Sequence, residues 1–116
     1  VHELSLVYGI VEAVEKAATE AHAVRVVSVK LQVGALAGVV KDALLFCYDI
    51  AAEGTLLAGS RLDVEEVPLS VYCQPCGKTV VSPSIQQFCC PECDTPSGDI
   101  RHGRELDIVS VELEVE

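Results

Sequence analysis

Four of the six cysteines in this chain fall in two short pairs, Cys73-Gln74-Pro75-Cys76 and Cys90-Pro91-Glu92-Cys93, with 13 residues between them. A turn holding two cysteines three apart presents both sulfurs on one side, and two such turns complete a tetrahedron of thiolates. That is the donor set of a structural zinc ion. Sulfur then fills all four positions around the metal, so no site is left for water and catalysis at this zinc is not expected. A zinc deaminase would need an H-x-E element beside its P-C-x-x-C element, and the first is missing. The competing chemistry is redox, with two dithiols or a disulfide pair. Gly77, directly after the first pair, permits a tight backbone there. Cys89, beside Cys90, reads as a spare thiol, and Cys47, spaced helically with Leu44 and Ala51, as a buried core residue.

The elements that must position these cysteines emerge from apolar periodicity. Leu4, Val7, Val11, Val14, Ala18 and Ala21 recur at spacings of three and four, which predicts an amphipathic helix over residues 2 to about 21. From Val26 to Val33 the pattern alternates, with Val27, Val29, Leu31 and Val33 on one face of a half-buried strand. Gly34 and Gly38 punctuate the following turn. Asp42 then caps or begins a second helix with Leu44, Cys47, Tyr48 and Ala51 inward and Gly54 at its end. Leu62, Val64 and Val67 mark a second strand that Pro68 weakens. A third, over residues 105–115, alternates through Val109, Val111, Leu113 and Val115, with Leu106 and Ile108 on the other phase, as a bulge near Ile108 would produce.

Residues 69–104 differ in texture, being rich in Cys, Pro, Ser and Gln and poor in periodic apolar residues. So polar a segment buries too little apolar surface to order itself, and bound metal would supply the missing free energy. The expected fold is therefore α/β: two helices packed on a three-stranded mixed sheet, with an inserted four-cysteine zinc-ribbon module. The strand-helix-strand crossover favours a parallel pair, and the insertion lets the third strand return antiparallel.

Composition narrows the function classes. Eight basic residues against 18 acidic ones leave a net charge of −10, which repels phosphate backbones and argues against a nucleic-acid partner. The excess is uneven: residues 61–116 carry 11 acids and 4 bases, so a basic partner would be steered to that half. No apolar run approaches the roughly 20 residues that span a bilayer, and no basic-then-apolar leader opens the chain, so a cytoplasmic protein without a membrane partner is expected. Paired CxxC motifs suit that reducing compartment better than a disulfide framework. A zinc-ribbon adaptor is the rival reading from another class.

Read beside the ribbon, the start Val1-His2-Glu3-Leu4 becomes informative. With Val33-Gly34-Ala35-Leu36-Ala37-Gly38-Val39, Ala52-Glu53-Gly54-Thr55, Glu65-Glu66-Val67-Pro68 and Gly103-Arg104-Glu105-Leu106, it resembles the HypA/HybF family over essentially the whole chain. These are accessory proteins of hydrogenase maturation that typically open Met-His-Glu and carry a paired-CxxC zinc module. The resemblance implies a non-enzymatic metallochaperone. It would receive Ni(II) transiently and help place it in the large subunit of [NiFe]-hydrogenase, with a HypB-type GTPase as partner; a homodimer is a further candidate assembly. It also implies a division into a nickel-binding helix-sheet domain, residues 1–68 plus 105–116, and an inserted zinc-binding domain, residues 69–104. The implied nickel donors are His2, Glu3 and Val1. An α-amine, a backbone amide and an imidazole form fused chelate rings whose nitrogens suit planar Ni(II). The plain alternative is that His2 and Glu3 begin a solvated helix. Valine stands where the family has methionine, and Val40 stands where some relatives place a carboxylate, with Asp42 nearby. His22 is expected to cap the first helix and His102 to lie in an exposed loop.

Overall fold

The computed structural model describes residues 3–116. Helix α1 runs Glu3–Glu20, β1 Ala23–Gly34, α2 Lys41–Ala52, β2 Arg61–Val67, β3 Ser70–Cys73, β4 Lys78–Val81, β5 Ile100–His102 and β6 Leu106–Val115. The strands form two three-stranded sheets, ordered β2-β1-β6 and β4-β3-β5.

Contacts divide the chain into two compact units. The first comprises the chain up to Leu31, Val39–Glu65 and Asp107–Glu116. Its core follows the predicted periodicity: Val7, Ile10, Val11, Val14 and Ala18 from α1 and Leu44, Tyr48, Ala51 and Ala52 from α2 are buried. Val26, Val29, Leu31 and Leu62 complete it from the strands. Burying one such aliphatic side chain stabilises by about 1.5–3 kcal/mol, so this stripe outweighs local propensity in holding α1. Two polar contacts fix the connection after α2. The Glu15 carboxylate accepts the Leu56 N–H at 2.8 Å, and the buried Tyr48 hydroxyl meets Ser60 Oγ at 2.6 Å. Burial raises the Tyr48 pKa, against the lowering effect of the Ser60 bond.

The helix-on-mixed-sheet expectation is met, with local differences. Ala21 is exposed, because α1 has already ended. On β1 the fully buried side chain near the start is Val26, while Val27 is half-buried. Asp42 does not cap α2: the cap position is Val40, and Asp42 lies in the first turn. Cys47 is half-buried, and Tyr48 fills the core place beside it. Around Ile108 and Val109 both apolar phases are exposed, as befits a strand at a sheet edge.

The second unit comprises Gln32–Gly38 and Glu66–Leu106. Beside residues 69–104 it takes in residues 32–38, 66–68 and 105–106, and hydrogen bonds join the first of these segments to the last. Gly34 N–H donates to the Glu105 carbonyl and Leu36 N–H to the Gly103 carbonyl, each at 2.7 Å. Gly34 and Gly103 approach so closely that a methyl group on Gly34 would lie 2.6 Å from the Arg104 nitrogen and closer still to the Gly103 carbonyl. The unit is also more regular than its composition suggested. β3 pairs antiparallel with β4, matching Val71 to Val80 and Cys73 to Lys78, and antiparallel with β5. Val71, Val80, Cys73 and Cys90 form a small core flanked by Cys76 and Ile100. With sulfur as half of that core, apolar periodicity was too sparse to reveal it.

Candidate metal centre

Two knuckles of the same construction present the sulfurs. After Cys73-Gln74-Pro75-Cys76 the chain turns through Gly77 at φ 66°, and Gly77 N–H donates to the Cys73 carbonyl at 2.8 Å. After Cys90-Pro91-Glu92-Cys93 it turns through Asp94 at φ 59°, and Asp94 N–H donates to the Cys90 carbonyl at 2.8 Å. Each knuckle thus closes four residues after its first cysteine on a left-handed residue. Glycine takes that conformation freely, and Asp is among the few others that tolerate it. Sequence reading named Gly77 but missed Asp94, although the matching offset was there to be seen.

The four sulfurs lie within 4.8 Å of one another. Between the knuckles, Cys73–Cys93 is 3.5 Å, Cys76–Cys93 3.7 Å and Cys76–Cys90 4.0 Å. Bonds of about 2.3 Å to a tetrahedral zinc place neighbouring sulfurs about 3.8 Å apart, and the observed distances straddle that value. A disulfide needs about 2.05 Å, so these are free thiols arranged as a ligand cage. The residues fit zinc, which would cross-link the two knuckles and supply a dication to thiolates that are otherwise costly to bury. Cys73 and Cys90 are 0% exposed, Cys76 is half-buried and Cys93 exposed.

The surroundings sort the protons. The Thr95 hydroxyl, 3.1 Å from the Cys93 sulfur, and the Thr95 amide stabilise the Cys93 thiolate and draw its pKa down to about 6. Cys76, facing first Cys73 and then Cys93, is pushed up to about 12. For Cys73 the Cys76 amide favours the thiolate, but burial and the Cys93 sulfur leave the pKa raised overall. The Thr95 contacts therefore favour negative charge on Cys93 over Cys73 and Cys76. Lys78, next to the first knuckle, pairs with Glu92 of the second at 2.7 Å. Both side chains are about half exposed, so the pair orients more than it stabilises.

Other residues singled out by sequence lie elsewhere. Val1 and His2 fall outside the described residues, and Glu3 opens α1 as the acid of its first turn. Asp42 is exposed in the first turn of α2. His22 takes a left-handed conformation after α1, with its amide donating to the Thr19 carbonyl at 3.1 Å. It is the His22 backbone that makes this bond. His102 is exposed, but it ends strand β5 and pairs with Ser70 of β3 instead of lying in a loop, and its Nδ1 lies 3.3 Å from the Glu105 carboxylate. Cys89 is half-buried and bridges to Pro96, outside the cage. No described helix is long and apolar enough to cross a membrane.

Comparison with known proteins joins these observations. A family model described as hydrogenase/urease nickel incorporation, metallochaperone, HypA matches residues 1–113. A hydrogenase maturation factor HypA from Chloroflexus aurantiacus is 51% identical over 111 residues, covering 96% of this chain and 97% of its own. One from Roseiflexus sp. is 46% identical over 113 residues, covering 97% and 92%. The solution structure of the Ni metallochaperone HypA from Helicobacter pylori superposes with a TM-score of 0.67 at 20% identity, covering 100% of both chains, a likeness of fold. A match that runs from the His-Glu start through both cysteine knuckles, with relatives covered over 92–97% of their own length and about half the aligned residues in common, places this chain in the HypA family.

Proposed function

We propose that this chain is a nickel metallochaperone of the cytoplasm. It takes up Ni(II) as cargo at its amino terminus and assists its insertion into the large subunit of a [NiFe]-hydrogenase, in partnership with a HypB-type GTPase. The carrying observation is the family match over residues 1–113, which spans the His-Glu start and both cysteine pairs. The Cys73, Cys76, Cys90 and Cys93 cage supports a division of labour between metals. Four thiolates closing a tetrahedron suit zinc and offer an incoming ion no open position, so the cargo belongs elsewhere. The His2 imidazole, the backbone nitrogens of His2 and Glu3, and the Val1 amine where that amine is free make the nitrogen-rich set that planar Ni(II) prefers. Delivery of an ion breaks no covalent bond in a substrate, so the reading includes no catalytic residue.

Nickel titration of the zinc-loaded protein with an authentic terminus tests this. His2→Ala should abolish tight nickel binding and leave zinc stoichiometry unchanged, and a residue added before Val1 should weaken nickel by displacing the amine. Affinity should fall as pH drops through the imidazole range, where protons compete for the donor. Equal nickel affinity in His2→Ala would sink the terminal chelate. A parent protein that binds partners but no nickel would favour the zinc-ribbon adaptor instead.

A further inference from the structure

The four corners of the cysteine cage are unequally covered. Cys73 and Cys90 sit in the small core with Val71 and Val80, and Cys76 packs against that core from its flank. Cys93 is exposed, and so are Pro91, Glu92 and Asp94 around it, so the second knuckle presents one sulfur to solvent. The sulfur of Cys73 stands 3.5 Å from that of Cys93, the shortest of the separations between the knuckles. A cysteine that serves as a metal ligand is already a thiolate and hence a nucleophile, and exposure decides which of the four meets a reagent first. A second thiolate beside it lets an oxidised sulfur end as a disulfide instead of climbing to the irreversible sulfinic acid. Cys47 and Cys89 lie outside the cage, and both are half-buried.

We propose that Cys93 is a modification site for small neutral hydroperoxides, with Cys73 as the thiolate that resolves it, so that one oxidation opens the cage. The proposal rests on reading the cage as a zinc site. The Cys93 sulfur attacks one oxygen of the hydroperoxide and the O–O bond breaks. The other oxygen leaves with the electron pair as alkoxide or hydroxide, and Cys93 becomes a sulfenic acid. Cys73 then attacks the Cys93 sulfur, the S–O bond breaks and hydroxide leaves, forming the Cys73–Cys93 disulfide. Two electrons pass from the two sulfurs to the hydroperoxide, and two protons from solvent complete an alcohol or water and one further water. Charge selects the oxidant class. Lys78 offsets Glu92, but Asp94 adjoins Cys93 and the chain carries a net charge of −10, which repels an anionic disulfide and leaves a neutral hydroperoxide unopposed. Cys76 and Cys90, 4.0 Å apart, remain as thiolates. Two donors do not close a tetrahedron, so the metal and the free energy with which it orders this unit are lost together. A dithiol reductant that returns both thiolates restores the cage.

Hydrogen peroxide added to the zinc-loaded full chain is the test, with zinc release followed by a chromogenic chelator and the cysteines mapped by tandem mass spectrometry. About one zinc should be released per peroxide consumed, with a Cys73–Cys93 link in the product and recovery of zinc binding after dithiothreitol. Because Cys93→Ser removes a ligand and would lose zinc for that reason alone, the point of attack is read on the intact cage. Under brief, substoichiometric iodoacetamide, Cys93 should take at least about tenfold more label than Cys73 or Cys90, and more than Cys76. The Cys47→Ser, Cys89→Ser double variant should release zinc at the parent's rate. Protein that binds no zinc before peroxide is added would overturn the zinc reading and this proposal with it. Zinc that is bound and then retained would overturn this proposal alone. So would a disulfide other than Cys73–Cys93, label spread evenly over the four cage cysteines, or release that vanishes in the double variant and so belongs to a thiol outside the cage.

Discussion

Replacing Gly34 by alanine should be among the most damaging single-methyl changes available in this chain. The added carbon would lie 2.6 Å from the Arg104 nitrogen, and nearer to the Gly103 carbonyl, where ordinary contact begins near 3.4 Å. Backbone lines both sides, so no flexible side chain can yield, and the two segments must part by about 1 Å. The Gly34-to-Glu105 and Leu36-to-Gly103 bonds, both 2.7 Å now, would stretch beyond hydrogen-bonding distance. Each is worth about 1 kcal/mol net, and about 1–3 kcal/mol where its loss leaves a buried group unsatisfied, so the cost is roughly 2–5 kcal/mol. With a urea slope of about 1–2 kcal/mol/M, the midpoint of the zinc-loaded protein should fall by at least about 1 M. Gly9 is the control. It is an exposed helical glycine with nothing near its absent methyl, so Gly9→Ala should stabilise by about 0.5–1 kcal/mol. Should Gly34→Ala unfold within about 0.5 kcal/mol of the parent, with the Leu36 amide still protected from exchange, the close approach would not be structural.

Cys90→Ser should weaken zinc by roughly 10²–10³-fold, one donor's share of the about 10–16 kcal/mol typical of such sites. Amide spectra of the protein stripped of zinc by a competing chelator should lose dispersion over residues 69–104 while α1 and α2 signals persist, and an unchanged zinc affinity in chelator competition would contradict the ligand assignment. Ser60→Ala strands the buried Tyr48 hydroxyl and should cost about 1–3 kcal/mol in chemical denaturation, with the Tyr48 titration moving higher still; an unchanged titration would mean another group satisfies it. The Glu105 carboxylate accepts the Gly103 N–H at 2.7 Å, which together with its own amide and His102 holds its pKa below the ordinary 4.5. Its contribution should therefore be complete above that value and disappear as pH falls through the lower folded value. The stability difference between the parent and Glu105→Gln should shrink from pH 6 toward pH 3, and a constant difference would remove Glu105 from the acid response.

Local pattern carried much of this protein. Spacings of three and four placed α1, alternation placed β1 and β6, and two cysteine pairs identified the cage, because each signal lies within one turn or one strand of chain. The cage could be read at long range only because thiolates in such pairs have few other uses. What tertiary structure decided was every pairing between distant segments. Gly34 looked like an ordinary turn glycine until Gly103 was found against it, and Asp94 like an ordinary polar residue until the second knuckle closed on its left-handed backbone. The strands β3, β4 and β5 were invisible to periodicity, since their core is Val71 and Val80 beside two cysteines rather than a repeating apolar face. Nor could alternation in β6 reveal how little of it is covered. A strand's own residues record which side faces the core, but only its neighbours determine how far that core extends.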